Sequence, residues 1–188
     1  MSNGRGTHKE LMVLGLVGDE GSMSGYDLHR IVRAHGELFT DLKKANIYHL
    51  LDRLATQGYF RMRTEGGARG RRGERLLYSL TAKGRGRFHE LLELEVQRYG
   101  TIHTGIEVAV IFLSQLPRQK RLALLRKRQQ SVWSHRERVA TALGDVSSRG
   151  VLSKIAADHV LALVDAELEW VKRSIAAVEG ARDVRGEH

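Results

Sequence analysis

Cysteine is absent from the 188 residues, and proline occurs once, at Pro117. Without cysteine there is neither a disulfide framework nor a thiolate metal site. Aromatic residues make up 6% of the chain. So few rings offer no platform for stacking unpaired bases, which disfavours a single-stranded RNA binder. Long apolar runs are missing too. The N-terminal MSNGRGTHKELMVLGLVGDEG holds about eight apolar residues in sequence, broken by glycines. That is too short for a signal peptide's apolar region and far too short to span a bilayer. A cytoplasmic protein is the expectation. Histidines are present, but no HExxH pattern and no spaced carboxylate–histidine cluster accompanies them. GGARGRRG looks phosphate-friendly, yet it precedes a strand-like run rather than a helix, the wrong order for a nucleotide cradle. No enzyme, cofactor or metal is expected.

What the chain does have is positive charge: 31 Lys and Arg against 22 Asp and Glu, a net of +9 and a pI near 10.2. Its distribution says more than its sum. Arg61 to Arg87 holds nine basic and two acidic residues, and Arg118 to Arg138 holds eight and one. Such patches favour polyanion partners.

Glycines crowd the first half and thin out after Gly105. A turn-rich compact half followed by long helices is the expected organisation. Lys9 to Val17, KELMVLGLV, is apolar on nearly all sides and reads as a short buried helix. Ser24, with Asp27 three residues on, forms a variant capping box for a second helix. Leu28, Ile31, Val32 and His35 mark its inner face and Gly36 its end. The short GELFTD connection then leads to KKANIYHLLDRLATQGYF, where Ile47, Leu50, Leu51 and Leu54 fall at i, i+3, i+4 and i+7. That spacing is one buried helical face. The opposite face carries Asn46, His49, Arg53 and Thr56, with Lys43 and Lys44 just ahead and Gly58 as the stop. Two short helices so joined fit a helix-turn-helix.

After Gly58 the period changes to two. Tyr59 to Arg63 alternates apolar and basic, and Arg75 to Leu80 reads as a second strand. Between them TEGGARGRRGE, four glycines in eleven residues, reads as a long, arginine-studded hairpin tip. Thr81 caps a fourth helix running to about Tyr99. Three helices and a hairpin make a winged helix, with the hairpin as wing.

These stretches resemble the PadR family of bacterial transcriptional regulators. The resemblance is carried by LGLVGDEGSMSGYDLHRIV, NIYHLLDRLATQGYF and RRGERLLYSLTAKGRGRF, over about residues 8 to 90. Within them Gly25-Tyr26, Ile47-Tyr48, Leu51 to Gly58 and Tyr78-Ser79-Leu80-Thr81-Ala82-Lys83-Gly84 follow the family's pattern. The family often has Pro-Gly-Ser before Ile-Tyr and Pro after it; here stand Lys44-Ala45-Asn46 and His49. The resemblance implies a DNA-binding regulator, often a repressor, sometimes released by a phenolic or other aromatic effector. Its operator preference is expected to differ from that of better-known members.

On the reading of the residues themselves, the third helix lies in the major groove. Asn46, His49 and Arg53 are placed to reach base edges, since asparagine suits adenine and arginine suits guanine. Lys43, Lys44 and Tyr48 are placed for phosphates. Arg69, Arg71 and Arg72 on the wing track the backbone or enter the minor groove. The bland alternatives are a solvated arginine loop, a merely exposed His49 and a Tyr48 that belongs to the core. Asp52 on the same face opposes phosphate.

In the second half, Ile106 to Leu113 reads as a short buried helix. A helix from Pro117 to about Leu143 follows, with Leu122, Leu125, Val132, Val139 and Leu143 on one side and Gln129 and Arg136 interrupting. A turn at Gly144 to Gly150 leads to Val151 to Val178, which carries Val164, Leu168, Val171, Ile175 and Val178. Two antiparallel helices cannot bury both stripes alone, so a second copy is the expected cover. The basic run from Arg118 to Arg138 reads as a solvated helix face, the alternatives being added DNA contacts or attraction of an anionic effector. Tyr99, His103, Phe112, Trp133 and Trp170 are the aromatic candidates for an effector site, if they approach each other.

The expected fold is mainly α with a small hairpin. Residues 8–99 form a winged-helix DNA-binding domain and 105–180 a helical dimerisation or effector domain. The expected partners are double-stranded DNA, a second copy and a small aromatic effector, with no membrane. The competing reading is a helical interaction or adaptor protein whose basic surface is incidental or binds nucleic acid non-specifically.

Overall fold

The computed structural model describes residues 6–35, 42–67, 70–100, 104–147 and 150–181. The chain divides into two compact units, Met1–Gly100 and Thr101–His188.

The first unit runs α1 (Thr7–Glu20), β1 (Met23–Ser24), α2 (Gly25–His35), α3 (Lys44–Thr56), β2 (Phe60–Gly67), β3 (Gly70–Leu80) and α4 (Ala82–Gln97). Its core is the sum of the predicted stripes. Val13, Leu14 and Val17 of α1 meet Leu28 and Val32 of α2, Ile47, Leu50, Leu51 and Leu54 of α3, and Leu91 of α4. Each such buried side chain contributes about 1.5–3 kcal/mol. Ser24 caps α2 as expected: its hydroxyl donates to Asp27 at 2.7 Å and accepts from the Asp27 amide at 3.2 Å. The GELFTD connection, which begins at Gly36, lies outside the described residues; Leu42, just after it, is buried.

The sheet has the order β1-β3-β2, all antiparallel. β2 and β3 pair from Phe60↔Leu80 to Gly67↔Gly70, with an irregularity between Glu65 and Gly67. This corrects the expected long tip. The ladder runs through most of the glycine-rich stretch because pairing satisfies each backbone N–H and C=O, and the bulge absorbs the misfit. β1 was not anticipated: two residues are too few to show a period.

Thr81 joins three elements. Its hydroxyl accepts from the Gly84 amide, capping α4, and lies 2.8 Å from the Gly58 carbonyl and 3.1 Å from that of Tyr59. The closure leaves no room at Gly84, where an added Cβ would sit 2.2 Å from the Tyr59 carbonyl oxygen. Gly58, at φ +77°, ends α3 in the left-handed conformation that glycine adopts without strain.

The second unit has α5 (Ile106–Ile111), a 3-10 turn (Leu113–Gln115), α6 (Arg118–Ser147) and α7 (Val151–Gly180). The last two are antiparallel: Arg118 bonds the Val178 and Glu179 carbonyls near one end, and Arg136 bonds Asp165 further along. Leu125, Val139 and Leu143 are buried against the side of α7 that carries Ala157, Leu168 and Val171. Two expectations fail here. Gly144 does not begin a turn; α6 continues through it to Ser147, since one helical glycine costs only about 1 kcal/mol. And α5 is not buried. Ile111 is 69% and Phe112 58% exposed, because nothing among the described residues covers them.

Among the described residues no helix is long and apolar enough to cross a membrane, and no three acidic or histidine side chains gather as a metal site.

Candidate nucleic-acid interface

Burial of Ile47, Leu50, Leu51 and Leu54 fixes the rotation of α3 and turns Asn46, His49 and Arg53 outward. Lys43 and Lys44 are exposed at its start. No side chain caps that end, and no acid occupies the first turn. The partial positive charge of the helix terminus therefore adds to two lysines, an arrangement that attracts anions.

Arg53 does not project freely. Its Nη2 donates to Glu10 Oε2 at 2.9 Å, while Arg87 Nε donates to Glu10 Oε1, also at 2.9 Å. Arg87 in turn pairs with Glu90 at 3.0 Å. The Glu10 side chain is only 11% exposed, so one nearly buried carboxylate binds α1 to both α3 and α4. The hydrogen bond to Glu10 raises the Arg87 pKa above its ordinary value. Sequence reasoning missed this junction. The signal in the sequence was an acid, Glu10, directly ahead of the apolar stretch of α1.

Asp52, the acid that seemed out of place on this face, has a structural partner. The Tyr78 phenol, from β3, is buried, and that burial raises its pKa; the Asp52 charge and its hydrogen bond to the phenol raise it further. The pair ties the wing to α3. Tyr48 is partly exposed and packs against Gly25, where an added Cβ would come within 2.7 Å of the ring. Beside it Tyr26, which the site reading overlooked, is 64% exposed. Ser24, Tyr26, Tyr48, Arg75 and Tyr78 line a hollow of about 520 Å³ between the start of α2 and β3.

On the wing, Arg61, Arg63 and Arg75 are exposed, Arg63 lying 3.6 Å from Glu65. Arg69 lies outside the described residues. Arg71 and Arg72 belong to β3, but their side chains are outside what is described.

The aromatic candidates of the second unit do not converge. Trp170 is half-buried in a mainly apolar hollow of about 540 Å³ between α6 and α7, with Arg128, Ser131, His135, Leu163 and Glu167. Arg128 lies 5.9 Å over its ring and bonds Glu167 at 2.7 Å. Trp133 instead borders a separate groove with Gln129, Gln130 and Lys172, and Phe112 is exposed. Tyr99, in the first unit, is 95% exposed, and His103 lies outside the described residues. The basic run of α6 is not simply a solvated face either. Arg118, Arg126, Arg128 and Arg136 bond groups on α7, and Arg121 bonds the Leu116 carbonyl. Three of its eight cations, Arg126, Arg128 and Arg136, thus face acids of α7, while Lys120, Lys127 and Arg138 are exposed.

Residues 13–90 match the transcriptional regulator PadR-like family. They form a PadR-like domain. The match spans α1 from Val13 through the wing to Glu90 in α4, the segment in which the sheet and the α3 stripe are built. The fold likeness to solved structures extends over both units. Bacillus subtilis PadR in complex with operator DNA is 21% identical, covers 90% of this chain and 98% of its own, and has a TM-score of 0.74. The same protein in complex with p-coumaric acid is 17% identical over 96% of this chain and 100% of its own, also at 0.74. The PadR-like regulator BC1756 from Bacillus cereus is 17% identical over 90% and 97%, at 0.67. No curated protein matches the chain.

Proposed function

We propose that this chain is a sequence-specific, homodimeric DNA-binding transcriptional repressor of the cytoplasm, and not an enzyme. The observation that carries the reading is the outer face of α3. An uncapped, lysine-flanked helix start presents Asn46 and His49 beside an arginine-bearing two-stranded wing, all within a PadR-like domain. In this reading Asn46 and His49 meet base edges in the major groove. Lys43, Lys44 and Tyr48 neutralise or hydrogen-bond phosphates, and the wing, with Arg69, Arg71 and Arg72, follows the adjacent backbone. The crystal structure of Bacillus subtilis PadR on operator DNA, a protein of the same fold, supports it.

Dimerisation falls to residues 105–180. Exposed Val108, Ile111, Phe112, Val151, Leu152 and Ile155 are the kind of apolar surface a second copy covers. Two copies double the phosphate contacts and place two α3 helices on a palindromic operator. A small aromatic effector fits the hollow at Trp170, and works by favouring one spacing of the two α3 helices over another.

Anisotropy titrations test the reading. Lys44→Ala weakens binding to every duplex alike and lowers the salt slope by about 0.9, the increment for one phosphate contact. Asn46→Ala costs about 1–3 kcal/mol on the preferred duplex and relaxes preference at one base pair. Equal affinity for the preferred and a scrambled duplex would refute specificity.

A further inference from the structure

Three side chains share the outer stripe of α3 at helical spacing: Asn46, His49 and Arg53. Two are simply exposed. The third, although its side chain is 43% exposed, turns back to the nearly buried carboxylate of Glu10. Arginine on such a stripe is the residue best suited to guanine or to phosphate, so its capture by an acid from another helix matters for the interface.

Arg53, Glu10, Arg87 and Glu90 form an alternating row of two cations and two anions. The row is neutral. Arg53 therefore adds little to the field that draws a polyanion toward α3. To turn its full fork on DNA it would have to leave an acceptor that is largely withdrawn from water, and the second arginine alone would then face Glu10. We propose that Glu10 withholds Arg53 from the nucleic acid, so that discrimination is left to Asn46 and His49. Arg53 is then a positioning residue, fixing α3 against α1 and α4 without reading sequence. The inference rests on the functional reading above and refines it.

Its logic is thermodynamic. A free arginine beside the groove gains on any phosphate, whatever the bases nearby. Tying it down lowers affinity for all duplexes alike, and because a uniform contact cancels from the difference between two duplexes, that difference is left to the contacts of Asn46 and His49.

The test is the salt dependence of binding, measured for wild type, Arg53→Gln, Glu10→Gln and the double variant on the selected duplex and on a scrambled one. Arg53→Gln is expected to leave the log–log slope and the base preference unchanged. Glu10→Gln is expected to steepen the slope on scrambled DNA by about 0.9, roughly 3.5-fold in affinity between 50 and 200 mM salt. The selected duplex is expected to show the same steepening, so that the ratio between the two is unchanged, and adding Arg53→Gln reverses it. A slope that falls by about 0.9 in Arg53→Gln alone, or a preference lost at one base pair, overturns the proposal, because Arg53 would then touch DNA in the wild type. Glu10→Gln that merely weakens all binding in proportion to lost stability, with the slope unaltered, overturns it as well. If Glu10→Gln does not fold, Arg53→Gln decides, being a surface truncation. A wild type that binds no duplex sinks the functional reading itself. A wild type that binds, with either adverse result above, sinks only this refinement.

Discussion

Gly84 and Gly86 stand two residues apart in α4 and predict opposite outcomes for the same substitution. A Cβ on Gly84 collides with the backbone carbonyl of Tyr59, whereas one on Gly86 meets open space. Gly84→Ala is expected to destabilise by about 1–3 kcal/mol, because backbone cannot step aside as a side-chain tip does. Gly86→Ala is expected to stabilise by up to about 1 kcal/mol through helix propensity. Thermal unfolding of the two variants checks both, at about 4–8 °C per kcal/mol for a unit of this size. Tyr78 supplies a second test. Its pKa is raised above the ordinary 10.0, first by burial and then by Asp52. The folded state therefore holds the phenolic proton more tightly than the unfolded state. That contribution is complete below about pH 10 and is lost as pH climbs through the folded value. Melting temperatures taken from about pH 8 to about 11 should fall more steeply for wild type than for Tyr78→Phe. At this scale the pattern Tyr78 to Gly84 was visible in the sequence, but its reason was not. Spacing along a chain cannot say that Gly84 faces a carbonyl 25 positions earlier, or that Asp52 and Tyr78 meet. The same holds for Glu10, whose two arginine partners are 43 and 77 residues away.

Among the elements, α3 was the most legible, since four buried residues at helical spacing leave one orientation only. Leu54→Ala should cost about 2–5 kcal/mol, as a fully buried leucine with little room for collapse; a urea titration measures it. The hairpin was legible as a hairpin and misjudged in extent. Glycine was taken for a loop marker, yet a ladder tolerates glycine when each strand offers the other its hydrogen bonds. β1 was invisible because a two-residue strand is defined by its neighbour, β3, and not by its own pattern. The α5 error has another physical origin. Periodicity and apolarity say that a helix needs cover; they do not say which molecule supplies it. The basic run of α6 misled in the reverse sense, because its acidic partners lie on α7, across a turn. Its pairs with Glu179 and Glu167 are partly solvated, and each contributes about 1 kcal/mol or less.

For the whole molecule, the two units divide the work. The first brings an outward helix face and a wing together through Thr81, Tyr78–Asp52 and the Glu10 junction. The second leaves an apolar surface without a partner among the described residues. If a second copy covers that surface, Ile111→Glu should yield a monomer in sedimentation experiments, and operator binding should drop to that of a single half-site. The central claim is that two copies of α3 read a two-fold symmetric duplex. The most direct test is selection of bound DNA from a random duplex pool by the purified chain. An inverted repeat is predicted, its half-site centres about 10 bp or a multiple of that apart. A pool that shows no enrichment, or yields one undivided asymmetric site, would contradict the account.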